Sequence, residues 1–190
     1  MLGAIRSEGA TAVLVTHDQG EALSLGDQVA VLVKGTIRGE GPPRDLYESP
    51  PSREVASLLG EVQYVPGFAQ GSTATSCFGT LPLRNTITSR VDLLVRRECL
   101  QIVVPESAAS GPGSGAEGDV EAIEFFGDQS YARVRLRAHP SRTLLAPIRF
   151  GTEVVHGSSV RLHVQGPVVA YPEATDSPTG TTDPPGSGVP

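Results

Sequence analysis

Thr16-His17-Asp18 is the place in this 190-residue chain where residue type and position together suggest chemistry. His17 carries an imidazole, which can donate, accept or move a proton near neutral pH. In front of it, Ala12-Val13-Leu14-Val15 is a continuous apolar run that predicts a short strand buried on both faces, as in a parallel sheet. Behind it, Asp18 is suited to cap a helix and Glu21, three residues on, completes a capping box. Ala22, Leu23 and Leu25 give that helix an apolar side, and Gly26 suits its end. His17 is therefore expected where a buried strand stops and a helix starts. In open α/β sheets that edge is where phosphate-bearing ligands bind, helped by the positive end of the helix.

A second group with chemical potential is the stripe Arg133, Arg135 and Arg137. These alternate with Ala132, Val134 and Leu136, which predicts a half-buried strand with one wet, basic face. Such a face is a candidate for holding an anion or an acidic partner; a plain solvated strand face fits the same pattern. His139, His156 and His163 are scattered singly and read as surface residues, with no spacing that suggests a metal site. Cys77 and Cys99 form no CxxC and read as reduced, structural thiols. Glu98 could pair with Arg96 or Arg97, although neighbours on a strand point to opposite faces.

The elements that would position these groups fall into two textures. Up to Gly60 the pattern is short and mixed. Residues 29–33 predict an apolar strand, Lys34-Gly35 a turn, and residues 36–40 a returning strand, together a hairpin. Pro42-Pro43 opens a short helix through Tyr47, and Ser49-Pro50-Pro51 breaks it. Ser52 caps a further helix with Val55, Ala56, Leu58 and Leu59 at helical spacing, and Gly60 ends it. After Gly60, short alternating runs take over. Candidate strands are 62–65, ended by Pro66-Gly67, then 73–78, 80–84, 90–95, 131–137 and 160–164. Regularly spaced strands with Gly/Pro turns predict a small barrel or sandwich. Residues 106–118, small and polar, predict a flexible loop, and 173–190, rich in proline, a disordered tail.

T-H-D-Q-G-E-A-L at 16–23, then Gly26-Asp27-Gln28-Val29-Ala30-Val31-Leu32 and Gly35-Thr36-Ile37, resembles the switch-histidine region of ABC transporter ATPases. Importer subunits of the maltose, sulfate, polyamine and ferric-iron type are the nearest pattern. Gly41, Pro43, Leu46, Tyr47 and Pro50, followed by Val55-Ala56-Ser57-Leu58-Leu59-Gly60-Glu61, continue it in register. The resemblance is strong over 11–61 and looser from 62 to 172. There, Val91-Asp92-Leu93-Leu94-Val95-Arg96-Arg97-Glu98 resembles a barrel strand ending in R-P-E, with Arg97 in place of Pro. Gly118-Asp119-Val120 through Phe125-Phe126-Gly127-Asp128, and Gly157 through Val160 and Leu162, match later segments of such regulatory barrels.

The resemblance implies a chain of α+β class. Residues 1–60 would be the remnant of an α/β nucleotide-binding domain, residues 61–172 an all-β, OB-like barrel of the TOBE type, and 173–190 a tail. It implies that His17 contacts the γ-phosphate and positions the attacking water, but only within a complete domain. No G-x-x-x-x-G-K-[ST] loop, glutamine loop, signature or Walker B motif appears. ATP hydrolysis needs phosphate-binding amides, a Lys, a held Mg²⁺ and a carboxylate. ATP and Mg therefore belong to a full-length parent, and the chain alone is expected to be inactive and to need no cofactor. The implied partners are ABC permease subunits and a second ATPase subunit, with a small oxyanion at the barrel as a further candidate. The implied place is the cytoplasm, at the inner face of the plasma membrane through the permease. A stand-alone oxyanion-binding or regulatory module is the alternative function.

Composition is consistent with these expectations. The net charge of −6 argues against a nucleic-acid surface as the main partner, and an aromatic content of 5% without Trp argues against a base-stacking platform. Apolar runs are far shorter than the ~18 residues a spanning helix needs, and no signal-peptide pattern opens the chain. A half-covered α/β remnant would leave strand edges and apolar faces exposed, so residues 1–60 are expected to self-associate, to be partly disordered, or to pack on the second domain.

Overall fold

The computed structural model describes residues 11–104, 115–127 and 129–173. The expected helix tail at 1–10, most of the loop at 106–118 and the tail beyond Glu173 lie outside the described residues. No helix among the described residues is long and apolar enough to cross a membrane.

The chain begins with a correction. Residues 12–15 are not a strand, and Val13, Leu14 and Val15 are 88%, 60% and 91% exposed. A strand buried on both faces exists only if neighbours supply its ladder and its cover. No described residue pairs with this run, so the parallel-sheet remnant expected of residues 1–60 does not form here. The helix behind it does form: α1, Gln19–Leu25, is capped by Asp18.

Next come β1, Val29–Val33, and β2, Thr36–Gly41, an antiparallel hairpin in which Val33 faces Thr36. Its two-residue turn has positive φ at both Lys34 (48°) and Gly35 (77°), the turn whose twist suits a hairpin. Two short helices follow. α2, Pro43–Glu48, uses proline in its first turn, and α3, Arg53–Leu58, is capped by the Ser52 side chain, which accepts from the Val55 N–H. Val31, Leu46, Val55 and Leu59 form a small buried cluster under the hairpin and helices, joined by Leu23 of α1 and by Tyr47.

The rest is β. β3, Gln63–Ser76, and β4, Gly79–Val95, make one long hairpin. The sequence divides these two strands into four, and Pro66-Gly67, which looks like a stop, ends the first of them. β3 runs through it, as the edge strand of its sheet, where a proline is tolerated. A Cβ on Gly67 would stand 2.9 Å from the Thr75 carbonyl oxygen, so glycine there permits a close backbone approach. β4 makes a large irregularity between Pro82 and Ile87, and Leu83 bridges to Val168. After a 3-10 turn at Arg97–Cys99 come β5, Leu100–Val103; β6, Ala116–Phe125; β7, Ser130–Leu136; β8, Thr143–Ile148; β9, Ser159–Val164; and β10, Val169–Pro172. Residues 116–118, expected in the loop, are the start of β6, with Ala116 buried.

Two sheets result. One has the order β10-β4-β3, the other β5-β9-β6-β7-β8, and the edge strands β5 and β8 of the second approach each other, so that it curls towards closure. A single apolar core joins both sheets, with Leu93, Leu100, Leu136, Leu144 and Leu162 fully buried in it. Among the described residues the architecture is thus dominated by antiparallel sheet, with three short helices beside it.

Candidate functional site

Three side-chain and backbone hydrogen bonds fix the turn that carries His17. The Asp18 N–H donates to Thr16 Oγ1 at 3.0 Å, the Thr16 hydroxyl donates to Glu21 Oε2 at 2.7 Å, and the Glu21 N–H donates to Asp18 Oδ1 at 2.9 Å. The expected capping box is therefore half made. Asp18 caps as predicted, while the Glu21 carboxylate reaches Thr16 instead of the cap's own N–H. His17 sits between these tied flanks and is exposed, one residue before the cap. It stands at the start of a helix, as expected, but with no strand in front of it. The single lysine of the chain, Lys34, lies at the hairpin turn. The described residues around His17 thus do not fit a triphosphate by themselves, because they bring one imidazole and no lysine.

The stripe on β7 is present and exposed, yet it is not bare. Arg133 bonds to Glu124, Arg135 Nη1 lies 3.1 Å from Glu121 Oε1, and Arg137 donates to Asp119 Oδ2 at 3.1 Å and to its Oδ1 at 2.5 Å. Arg137 also lies 3.6 Å from Glu117. The carboxylates come from the neighbouring strand β6, across the register that sets Asp119 opposite Arg135 and Val120 opposite Val134. Arg137 holds the Asp119 carboxyl below its usual range, first through this hydrogen bond. An incoming anion would have to displace those carboxylates.

The densest polar construction lies at the seam between the helices and the two sheets. Arg96 is 6% exposed. Its guanidinium donates to the carbonyls of Glu61 at 3.1 Å, Tyr47 at 3.3 Å and Ala56 at 3.4 Å, and lies 3.9 Å from the centroid of the Tyr47 ring. Tyr47 in turn donates its hydroxyl to Glu98 Oε1 at 2.5 Å, and burial, with that bond second, pushes its pKa up to about 12. Glu98 pairs with neither Arg96 nor Arg97; Arg97 instead donates to Glu61 Oε2 at 3.0 Å. On the other side of the seam, Arg53 reaches Asp92 Oδ2 at 2.9 Å. The Tyr171 hydroxyl donates to the Pro50 carbonyl at 2.8 Å. The sequence gives no role to Arg53 or Asp92, and it offers Arg96 only as a partner for Glu98, whereas its actual partners are the carbonyls of Glu61, Tyr47 and Ala56. The available signal was Asp92 itself, a carboxylate inside the otherwise apolar run Val91-Asp92-Leu93-Leu94-Val95. Such a group needs a cation beside it.

Of the other groups, His156 is exposed, while His139 and His163 are half-buried. No cluster of three or more potential metal ligands occurs among the described residues. Cys77 and Cys99 are free thiols, both pushed up in pKa by burial.

No family model matches the chain. Individual relatives do. The Fe(3+) ions import ATP-binding protein FbpC 1 of Rhodococcus jostii (strain RHA1) is 32% identical over 168 residues, covering 85% of this chain and 46% of that protein. The Fe(3+) ions import ATP-binding protein FbpC of Pseudomonas fluorescens (strain Pf0-1) is 32% identical over 165 residues, again covering 85% and 46%. The spermidine/putrescine import ATP-binding protein PotA of Mesorhizobium japonicum is 34% identical over 131 residues, covering 67% and 36%. The chain spans about half the length, or less, of the curated relatives it matches. Among solved structures, the cytoplasmic molybdate-binding protein ModG with molybdate bound aligns at a TM-score of 0.43 and 12% identity, over 58% of this chain and 95% of that one, a likeness too partial to carry a conclusion.

Proposed function

The chain belongs with the ATP-binding subunits of ABC importers, and from that premise we propose that it is the C-terminal part of such a subunit. In the whole protein it would carry the switch histidine, His17, at its front and a regulatory, dimerising β-body behind. ATP and Mg²⁺ would be held by residues outside this chain. The partners would be permease subunits and a second ATPase subunit, and the place of work the cytoplasmic face of the membrane. The single observation that carries this reading is that the similarity runs through 85% of the chain, more than residues 61–190 alone could supply, and so reaches both sides of Gly60.

The test is made in the complete subunit. His17→Ala should lower ATP turnover by roughly 100-fold or more, the scale of a positioned proton-transfer group, while nucleotide binding is kept. Turnover unchanged by that substitution would remove the reading of His17. The oxyanion alternative is tested separately, by calorimetry of this chain with molybdate and sulfate. The pairing of Arg133, Arg135 and Arg137 with carboxylates lends it no support. Saturable binding that is lost on Arg135→Gln would establish it.

A further inference from the structure

The helix pair α2–α3 precedes Gly60 in sequence, on the far side of the change of texture. In space it is held to the sheets by groups distant along the chain. Arg53, the first residue of α3, donates from Nη2 to Asp92 Oδ2 on β4 at 2.9 Å and to the Pro172 carbonyl of β10 at 2.6 Å. Its guanidinium carbon lies 4.7 Å from the Tyr64 ring centroid and 5.6 Å from that of Tyr171. The two rings meet edge to face at 6.3 Å. The Tyr171 hydroxyl fastens the turn before α3 through Pro50, and Ala56 packs with Leu94, Val169 and Tyr171 in a buried apolar cluster.

Asp92 is the point on which this assembly turns. It is 7% exposed and lies on β4, opposite Pro66 on one side and Tyr171 on the other. It faces a second cation, Arg142 of the β7–β8 loop, whose Nη2 lies 3.9 Å from Oδ1 and whose Nη1 donates to the Tyr64 carbonyl at 2.8 Å. One buried carboxylate thus touches a cation from the helix pair and a cation from the five-stranded sheet's loop.

We propose that Arg53 and Asp92 form a latch that fastens the α2–α3 pair to the β-body, so that residues 43–60 move with the sheets, and that breaking it releases the helices while the sheets stay folded. The inference does not rest on the transport reading; it concerns the mechanics of this chain alone. A regulator that moves β4 or the β7–β8 loop would be felt at α3 through Asp92. A bond from a cation to a buried carboxylate is among the stronger hydrogen bonds, and removing the charge leaves two guanidiniums facing a neutral amide.

The experiment is hydrogen exchange on the full chain, wild type against Asp92→Asn. In the variant, exchange at the Ala56 and Leu59 amides, which bond to the Ser52 and Val55 carbonyls, should speed up roughly tenfold or more. Amides of β6, β7 and β9 should be unchanged. Tyr171→Phe, which removes one hydroxyl and alters no charge, should raise exchange at the same two amides by a smaller factor. Unchanged exchange at α3 in both variants overturns the latch. A rise that is equal in α3 and in β6, β7 and β9 overturns it too, since the contact would then serve the whole fold and fasten nothing in particular.

Discussion

Replacing Arg96 by methionine tests how the seam is held. Methionine keeps the length of the side chain and its apolar stem but removes every donor. Three carbonyls then lose their partner. The Glu61 bond, at 3.1 Å, is of ordinary length, whereas those to Tyr47 and Ala56, at 3.3 and 3.4 Å, are stretched and count for less. A hydrogen bond from a charged donor contributes about 1.5–3 kcal/mol at good geometry, and a desolvated cation over an aromatic face about 2 kcal/mol. The Tyr47 ring at 3.9 Å is such a face. Against this stands the cost of keeping a guanidinium out of water, which methionine does not carry. The balance is a loss of about 2–3 kcal/mol. For a chain of this size, where each kcal/mol moves the midpoint by about 2–4 °C, the melting temperature should fall by about 5–10 °C. Calorimetry and urea titration followed by far-UV circular dichroism would measure it. A loss under about 1 kcal/mol would refute the reasoning, because desolvation would then cancel the three bonds and the stacking together. Arg96→Lys sharpens the result. An ammonium offers a point charge in place of a planar fork and does not stack in the same way, so it should recover less than half of the loss.

Two further outcomes follow from the same seam. Gly60 has φ +156°, and a Cβ there would stand 2.9 Å from Arg96 Nη1 and 3.2 Å from Tyr47 Cε2. Gly60→Ala should cost about 1–3 kcal/mol and, measured together with Arg96→Met, should fall short of additivity because both act on one contact. Tyr47 ionises late, near 12, because burial and its bond to Glu98 favour the neutral phenol. The folded form therefore holds its proton where the unfolded chain gives it up. The stability this contributes is complete below the ordinary tyrosine value of about 10 and is lost as pH rises from there towards 12. A spectrophotometric titration together with melting curves between pH 9 and 12 should show this fall, and Tyr47→Phe should flatten it.

What the sequence showed plainly was local. The Asp18 cap, the Lys34-Gly35 turn, the Pro43 start of α2 and the Ser52 cap of α3 each depend on chemistry within a few residues, and each stands where the pattern puts it. Period-two alternation likewise places β7 and β9 correctly. Misreadings arose where a residue answers to something far away in the chain. Pro66-Gly67 looks like a stop because a proline lacks a donor, yet an edge strand does not need that donor, and Gly67 is there to admit Thr75. Arg133, Arg135 and Arg137 look like a free basic face because their partners, Glu124, Glu121 and Asp119, belong to another strand. Arg96, a candidate partner for Glu98 in the sequence, answers instead to the carbonyls of Tyr47, Ala56 and Glu61.

The exposed run at 13–15 belongs to the same class of misreading, and it bears on His17. Apolar periodicity states what a segment would bury, not that its cover is present. Val13 and Val15, each almost wholly exposed, represent apolar surface that, once covered, would favour association at about 25 cal/mol for every Å² removed from water. The turn of His17 is tied internally, by Thr16, Asp18 and Glu21, and its helix reaches the rest of the chain through Leu23 and the small cluster of Val31, Leu46, Val55 and Leu59. That cluster rests on Tyr47, Tyr47 on Arg96, and Arg96 on the sheets. A histidine carried at the end of such a sequence of contacts has its local geometry preset by its own turn, while the apolar run in front of it is left uncovered among the described residues. On the transport reading proposed above, covering that run would come before His17 could be aimed at a nucleotide, and the contacts described between its helix and the β-body run through the helix pair.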